Sequence, residues 1–503
     1  MNAYDELMEK RKEVALVETS LGAIYWDLET YMPPAGIQLR SEQISVLSKI
    51  AHEKSTSHEI GKLLEAAENE QDLNEVQKRN LFLSRREYDI NTKIPSELIG
   101  RLTKQQAIAT DVWKKAKAAK DWKMFEPELQ KLVDISREKE EIAMKVKGSS
   151  TIYDSMLDQY ERNMTAGMID KVFSQLKDRL VPLVQKCANA SEDVDASFLS
   201  RKIPIDIQRK IATDLANLIG YDTTSDRAGG RIDETEHPFT IGYYDDVRVT
   251  VHYYEDNLPS LVFAMLHEGG HALYEQGLNR DYMYQPVGVA ASYGIHESMS
   301  RFIENIIGRT PQFWEYYLPR LNNFTDNAFS DIDLIDFVRG MNLVKPSLIR
   351  IDADEVTYSL HIIIRFEIEK ALFADKISVP ELPQVWNEKY SEYLGVDVKD
   401  DAEGVLQDTH WGGGSYGYFP SYALGNVYDG QWIQQMNKDL PEWSSYISRG
   451  ELNPILSWLA ENIMSKAAIY DPADLVKHVT GSELDANPFL DFLEHRYAHM
   501  FGF

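Results

Sequence analysis

The sequence predicts a mainly α-helical protein with a small β-sheet, folded as one continuous domain of two lobes. Apolar residues recur at helical spacing through most of the 503-residue chain, and one short region has the character of β-strands. The hydrophobic (43%) and aromatic (11%) fractions are those of a globular protein with a large core. Because no repeat or long Pro/Gly/Ser linker interrupts the chain, we expect residues 1–503 to form a single domain.

Long helices are predicted for the N-terminal part of the chain. The helical pattern runs from Tyr4 to Glu29 and stops at Met32-Pro33-Pro34, because proline cannot continue a helix. Further helical stretches cover 39–66, 74–91, 96–119 and 123–146. These helices are long for a globular protein, so we expect a helical N-terminal lobe over roughly residues 1–165.

A β-hairpin and a second helical region follow. Residues 240–244 and 247–253 are aromatic and β-branched, which predicts a hairpin whose strand could pair with an extended peptide. Helices resume at Leu258, and the strongly apolar stretch 358–375 is expected in the core. Residues 404–422 are expected to form a loop rich in glycine and aromatic side chains.

Charge and composition exclude several classes of partner. With 53 basic and 80 acidic side chains the formal charge is −27, so nucleic acid and anionic membranes are repelled. No run approaches the roughly 18 apolar residues of a membrane span, and the densely charged start lacks a signal-peptide core. The single cysteine, Cys187, rules out an internal disulfide, and we interpret it as a small helix residue in a cytoplasmic protein.

The segment His267-Glu268-Gly269-Gly270-His271 is the main functional signal. In a helix the two histidines share one face about one turn apart, so both imidazoles can reach one ion. Glu268 lies about 100° around the helix, where it could reach a water on that ion without binding the ion. This arrangement is typical of zinc hydrolases of peptide bonds. Two core histidines are the alternative, but the apolar residues 261–266 favour a rigid buried helix.

A catalytic zinc site needs a third protein ligand and an open position. Glu297 is the first candidate, because a helix beginning near Ala290 would return past the first helix. Two histidines and one glutamate form a thermolysin-like ligand set. Glu275 and Glu304 are alternative ligands, and a surface salt bridge is the competing interpretation of Glu297.

Further motifs accompany this segment in a fixed order. They are Trp26–Pro33, His237-Pro238-Phe239, Asp246-Val-Arg248-Val-Thr250, His296-Glu297-Ser298, Ile349-Arg350-Ile-Asp-Ala-Asp354 and Gly404-Val-Leu-Gln-Asp-Thr-His410-Trp411. Together they resemble the carboxypeptidase Taq family of zinc- or cobalt-dependent carboxypeptidases over most of the chain. One position departs, since Met299 replaces the glutamine usual in the family after His-Glu-Ser, and a hydrogen bond near the ligands could be loosened.

The resemblance implies a fold similar to neurolysin and angiotensin-converting enzyme, with two lobes around a deep cleft, and a homodimer. It assigns the metal to His267, His271 and Glu297, with zinc as the first choice and cobalt as the second. Glu268 would act as general base and then as general acid. The metal-site portion would cover roughly residues 220–430.

The resemblance also suggests residues that contact the substrate. His237 would bind the peptide backbone, with packing against the hairpin as its alternative. His410 and Tyr422 are expected to stabilise the oxyanion, although Tyr416 and Tyr418 in the same loop remain open alternatives. The glycines 412–414 would let this loop flex or approach the peptide.

Recognition of a free C-terminal carboxylate calls for arginine. Arg350 is the first choice and Arg248 the second, while a salt bridge to Asp354 is the alternative for Arg350. Asp408 could orient a ligand histidine.

The sequence therefore predicts a metallocarboxypeptidase that trims peptide C-termini with broad specificity. An oligopeptidase that cleaves short peptides internally is the nearest alternative. A helical scaffold with a structural metal and no turnover is the alternative from another class, but the intact Glu268 argues against it, because a structural site needs no base.

Overall fold

The computed structural model describes residues 2–503, which are mostly helical with one small sheet, as predicted. The N-terminal helices are α1 (Ala3–Thr30), α2 (Ile37–Ser55), α3 (His58–Ala67), α4 (Glu75–Lys93), α5 (Ser96–Ala119) and α6 (Trp122–Lys147). The prediction of one helix over 39–66 is wrong. Ser57 accepts a hydrogen bond from the backbone N–H of Ile60 and starts α3 as a separate helix.

A second group of helices leads to the sheet. It comprises α7 (Ile152–Asp158), α8 (Ala166–Ser191) and α9 (Ile205–Leu218), followed by β1 (Gly230–Glu234), β2 (Thr240–Tyr243) and β3 (Asp246–Val251). The predicted hairpin is confirmed, since β2 and β3 pair antiparallel. β1 pairs in parallel with the other side of β3 and leaves β2 at an edge of the sheet. The sequence did not predict β1, because Gly-Arg-Ile-Asp-Glu contains a single apolar residue.

The rest of the chain is helical. Its helices are α10 (Leu258–Gly277), α11 (Tyr293–Arg301), α12 (Pro311–Phe324), α13 (Leu334–Met341), α14 (Glu355–Phe373), α15 (Leu382–Leu394), α16 (Pro420–Asp439), α17 (Trp443–Ser448), α18 (Asn453–Asn462), α19 (Pro472–Thr480) and α20 (Asn487–Phe501). α11 continues without a break into a π-helical segment, Phe302–Ile307. The prediction of a buried core segment is confirmed by α14. The loop predicted over 404–422 ends earlier than expected, because α16 begins at Pro420 and includes Tyr422.

The main hydrophobic core joins α5 to α20 and includes Cys187 on α8, as expected. α6 contributes a face of Trp122, Phe125, Leu129 and Leu132 at helical spacing. A smaller cluster around Leu7 and Leu64 packs α1, α3 and α4 together. The boundaries predicted for the two lobes remain a prediction.

A cavity of about 1340 Å³ is lined by α1, α4, the β2–β3 hairpin and residues 283–289. It lies along the edge strand β2. Among residues 2–503, no helix combines the length and the apolar character needed to cross a membrane.

Candidate metal centre and active site

The two histidines of α10 and Glu297 of α11 converge on one point. The His267 and His271 ring centroids lie 4.9 Å apart. Oε2 of Glu297 lies 3.7 Å from Nε2 of His267 and 3.5 Å from Nε2 of His271. A tetrahedral ion with bonds of about 2.1 Å would separate its ligands by about 3.4 Å, so this donor set fits a divalent cation. Within residues 2–503 it is the one group of three such side chains that converges in this way.

Two glycines allow α11 to lie close enough for this convergence. A Cβ on Gly270 of α10 would come within 2.6 Å of the backbone of α11 at Met299 and Ser300. A Cβ on Gly425 of α16 would lie 2.9 Å from Cγ of Glu297. α11 is therefore held between α10 and α16, with its carboxylate aimed at the two imidazoles. Met299 is fully buried in the apolar core.

Hydrogen bonds at Nδ1 orient both imidazoles. Nδ1 of His267 lies 2.9 Å from Oε2 of Glu304, and the carboxylate must accept, so this nitrogen carries the proton. Nδ1 of His271 lies 2.6 Å from Nδ1 of His296, whose Nε2 is 2.9 Å from Glu275. Because Glu275 accepts from Nε2 of His296, the other nitrogen of His296 accepts from His271. When neutral, both histidines thus present a free Nε2 lone pair. The alternative ligands Glu275 and Glu304 instead bind histidine side chains around the site.

Charges around the centre keep Glu297 ionised. Burial by itself would raise the pKa of Glu297, but Arg301, whose Nε donates to it at 2.8 Å, and the two imidazoles hold that pKa below its usual range. Burial opposes protonation of His267, yet Glu297 and Glu304 outweigh it and raise the pKa of His267 to about 8. Burial lowers the pKa of His271 to about 3. A cation would therefore compete with a proton at His267.

Glu268 is buried beside these residues but does not converge with them. The hydroxyl of Thr240, on the edge strand β2, donates to its Oε2 at 2.6 Å. Burial raises the pKa of Glu268, and His267 and Thr240 offset part of this rise. Thr240 was not predicted as a site residue, because no spacing rule links it to Glu268, 28 residues away. His237 lies in the loop before β2 with an exposed side chain.

His410 and two tyrosines form an aromatic group near the centre. The ring of His410 lies 5.4 Å from Tyr418 and 6.3 Å from Tyr422, with Tyr418 and Tyr422 5.1 Å apart. Tyr416 instead packs on Phe373 at 4.9 Å in the core, which separates it from this group. Burial lowers the pKa of His410 to about 4, so its imidazole is neutral at pH 7 and can donate one hydrogen bond.

Arg350 lies next to this aromatic group and binds Asp408. Its Nε and Nη2 lie 3.0 and 2.8 Å from Oδ1 of Asp408, and Nε of Arg365 lies 2.6 Å from Oδ2. The prediction that Asp408 orients a ligand histidine is therefore wrong, because Asp408 binds arginines, while Nδ1 of His267 and Nδ1 of His271 are paired with Glu304 and His296. Asp354 caps α14 instead of pairing with Arg350. The two arginines share one carboxylate, which leaves a net positive charge of one at this site.

Tyr358, which the sequence analysis missed, connects Arg350 to the metal centre. Its ring centroid lies 4.2 Å from the guanidinium of Arg301, and its hydroxyl lies 3.4 Å from Nη1 of Arg350. Arg248 lies elsewhere, over the ring of Trp26 in the large cavity. Asp246 pairs with it through contacts of 2.6 and 2.7 Å, which leave no net charge.

Comparisons with known proteins give one consistent result. The sequence model of the carboxypeptidase Taq (M32) metallopeptidase family matches residues 6–497. The chain is 38% identical to carboxypeptidase 1 of Bacillus subtilis, covering 99% of this chain and 98% of the relative. It is 39% identical to thermostable carboxypeptidase 1 of Thermus thermophilus, covering 99% of each. The crystal structure of an M32 carboxypeptidase from Deinococcus radiodurans superposes with a TM-score of 0.95 at 31% identity over 100% of both chains.

Proposed function

The chain belongs to the carboxypeptidase Taq family of metallopeptidases and is a metal-dependent carboxypeptidase, and we propose here how its own residues carry out the hydrolysis. This membership favours an exopeptidase over an internally cleaving oligopeptidase and over a scaffold without turnover. The observation that carries the mechanism is the convergence of two imidazole nitrogens and one carboxylate beside a separate buried glutamate.

His267, His271 and Glu297 are proposed to hold one divalent cation. Two nitrogen donors and one oxygen donor suit zinc first and cobalt second. A cation held there would lower the pKa of a bound water towards about 7 and polarise the scissile carbonyl. Metal-stripped protein reloaded with zinc or cobalt, with metal content and activity measured together, tests the identity of the ion.

Glu268 is proposed to take the proton of the attacking water and to return it to the leaving amine. Thr240 holds one carboxylate oxygen and leaves the other free to face the water. The raised pKa of Glu268 suits this exchange, because a base whose pKa lies nearer neutrality also becomes a better acid.

His410 and Tyr422 are proposed to donate hydrogen bonds to the oxyanion of the tetrahedral intermediate. The low pKa of His410, caused by burial, keeps its imidazole neutral, so that it acts as a donor without storing a charge. Tyr418 is the alternative donor, because its ring lies 5.1 Å from Tyr422. Phenylalanine variants of the two tyrosines, compared by kcat, separate them.

Arg350 is proposed to bind the C-terminal carboxylate of the substrate. The surplus charge shared by Arg350, Asp408 and Arg365 is available to an anion, whereas the charge of Arg248 is balanced by its own aspartate. Arg248 therefore remains the second choice, lining the cavity. The exposed His237, just before the edge strand, is proposed to contact the peptide backbone.

We further propose a cytoplasmic homodimer that acts on peptides and binds neither nucleic acid nor membranes. The dimer follows from family resemblance, and sedimentation or light scattering tests it. The formal charge of −27 and the single, buried cysteine support the partner classes and a reducing compartment.

A time course on one mixed-sequence peptide tests the function as a whole. We expect amino acids to appear in their order from the C-terminus, release to stop after metal stripping, and release to return with metal. Internal fragments appearing before free C-terminal residues would contradict the exopeptidase assignment.

A further inference from the structure

A buried carboxylate outside the metal centre holds both ends of a turn in the loop before α16. Glu369, on α14, is 0% exposed. Its Oε1 accepts a hydrogen bond from the indole Nε1 of Trp411 at 2.8 Å. Its Oε2 accepts from the backbone N–H of Gly417 at 2.8 Å and from the hydroxyl of Tyr153, on α7, at 3.0 Å. Glu369 thus ties the turn 411–417 to the core of the molecule.

The residues that flank this turn are the proposed oxyanion donor His410 and the alternative donor Tyr418. His410 precedes Trp411, Tyr418 follows Gly417, and the two rings lie 5.4 Å apart. The backbone N–H of Ser415 donates to the carbonyl of His410 at 2.9 Å and closes the turn. Because neighbouring residues share a peptide plane, holding Trp411 and Gly417 restricts the directions from which His410 and Tyr418 can project.

The opposite face of the loop is held by a different kind of contact. On α5, Gln106 and Thr110 donate to the carbonyls of Gly413 and Gly412 at 2.9 and 3.2 Å. The glycine run expected to flex near the peptide therefore packs against α5. This helix satisfies acceptors of the loop, while Glu369 satisfies its donors. The two sets of contacts are complementary, and donors on α5 cannot replace the carboxylate.

Hydrogen bonds, rather than a salt bridge, accommodate this carboxylate. Burial raises the pKa of Glu369 to about 7, although hydrogen bonds from Gly417, Trp411 and Tyr153 oppose the rise. The cation that acts on it, Arg365, is bound to Asp408. A buried anion without a paired cation is stable only where its donors are fixed, so the carboxylate and the turn stabilise each other.

We infer that Glu369 is a positioning residue for the carboxypeptidase reaction, setting the turn 411–417 so that His410, and Tyr418 if it is the second donor, face the scissile bond. This inference rests on the proposed role of the 410–422 segment. Glu369 itself does not touch the substrate. It acts through the backbone of the loop, so its loss should affect the order of the loop and the rate of the chemical step.

Glu369→Gln tests the inference at pH 8, with Glu367→Gln as the matched control. A glutamine offers one acceptor oxygen, and its NH2 group must face either Trp411 or Gly417, so one loop donor stays unsatisfied. We expect amide exchange across 412–417 to rise about tenfold and kcat to fall about tenfold, with KM and the metal dissociation constant unchanged. Glu367 lies on the same helix but accepts from Lys177, Lys389 and Tyr393. Glu367→Gln should therefore change neither the amide exchange of the turn nor kcat.

Further variants keep the inference testable if Glu369→Gln is unstable. Trp411→Phe removes one loop donor and should also raise exchange in the turn, whereas Tyr153→Phe removes a donor outside the loop and should not. Unchanged exchange in Glu369→Gln, or faster exchange with wild-type kcat, would overturn the inference. If His410→Ala and Tyr418→Phe both keep full kcat, neither residue next to the turn acts on the oxyanion, and the catalytic part of the inference fails. The exchange data then still decide separately whether Glu369 holds the turn.

Discussion

Replacing Glu268 by glutamine should remove nearly all turnover while leaving the metal centre intact. The side chain is 7% exposed and receives the Thr240 hydroxyl on Oε2. A glutamine can keep its carbonyl towards Thr240, and its NH2 group then occupies the place of the free oxygen. The shape of the site is preserved, but no group there can accept a proton from the water.

The size of the effect follows from this geometry. A positioned base contributes about 10²- to 10⁴-fold, and Glu268 would also return the proton to the amine, so we expect the upper end. A loss of about 10⁴-fold corresponds to about 5.4 kcal/mol of transition-state stabilisation. Metal content should stay at the wild-type level, because Glu268 is not among the converging ligands.

The assay is the rate of release of the C-terminal residue, expressed as kcat and kcat/KM at equal metal content. Glu315→Gln, on the exposed side of α12, is the matched control for the chemical change and should behave as wild type. If Glu268→Gln with full metal content retained more than about a tenth of wild-type kcat, another group would be taking the proton.

Four further predictions concern neighbouring residues. Thr240→Val removes a hydrogen bond that lowers the pKa of Glu268, so the acid limb of kcat/KM, where the base becomes protonated, should move to higher pH; a limb that moves to lower pH would contradict this sign. Arg350→Ala should raise KM for free-acid peptides about 10- to 100-fold and leave C-terminally amidated peptides nearly unaffected, and equal changes for both would exclude the role. Glu275→Ala should weaken metal binding about 10- to 100-fold in chelator competition, whereas Glu275→Gln, which keeps an acceptor, should lose less. Because the pKa of His267 is about 8 in the metal-free site, metal affinity should fall about tenfold for each pH unit below that value, and an affinity independent of pH would refute it.

The residues of the candidate metal centre could be predicted from the sequence because ligands on one helix are spaced by about one helical turn. His267 and His271 are four positions apart, and Glu297 lies on the next helix, α11, which packs against α10. The same reasoning could have found Arg301, four residues after Glu297, and Glu275, four residues after His271. These positions are visible as spacings within one helix.

Other features depend on contacts between distant segments. Thr240 and Glu268 are 28 residues apart, and Glu369 is 216 residues from Tyr153, so no local pattern links them. Asp408 was assigned to the wrong partner for the same reason, because its arginines come from residues 350 and 365. The polar strand β1 forms because strand β3 of the hairpin offers it a free edge to pair with. The composition of β1 alone does not indicate a strand.

The most direct test of the account is the position of the metal ion in a crystal of the loaded protein, located by anomalous scattering at the zinc edge. We predict one strong peak about 2.0–2.2 Å from Nε2 of His267, Nε2 of His271 and Oε2 of Glu297, with a further position open to water. A peak at another place, or a Glu297 carboxylate with neither oxygen bound to the ion, would contradict the central claim.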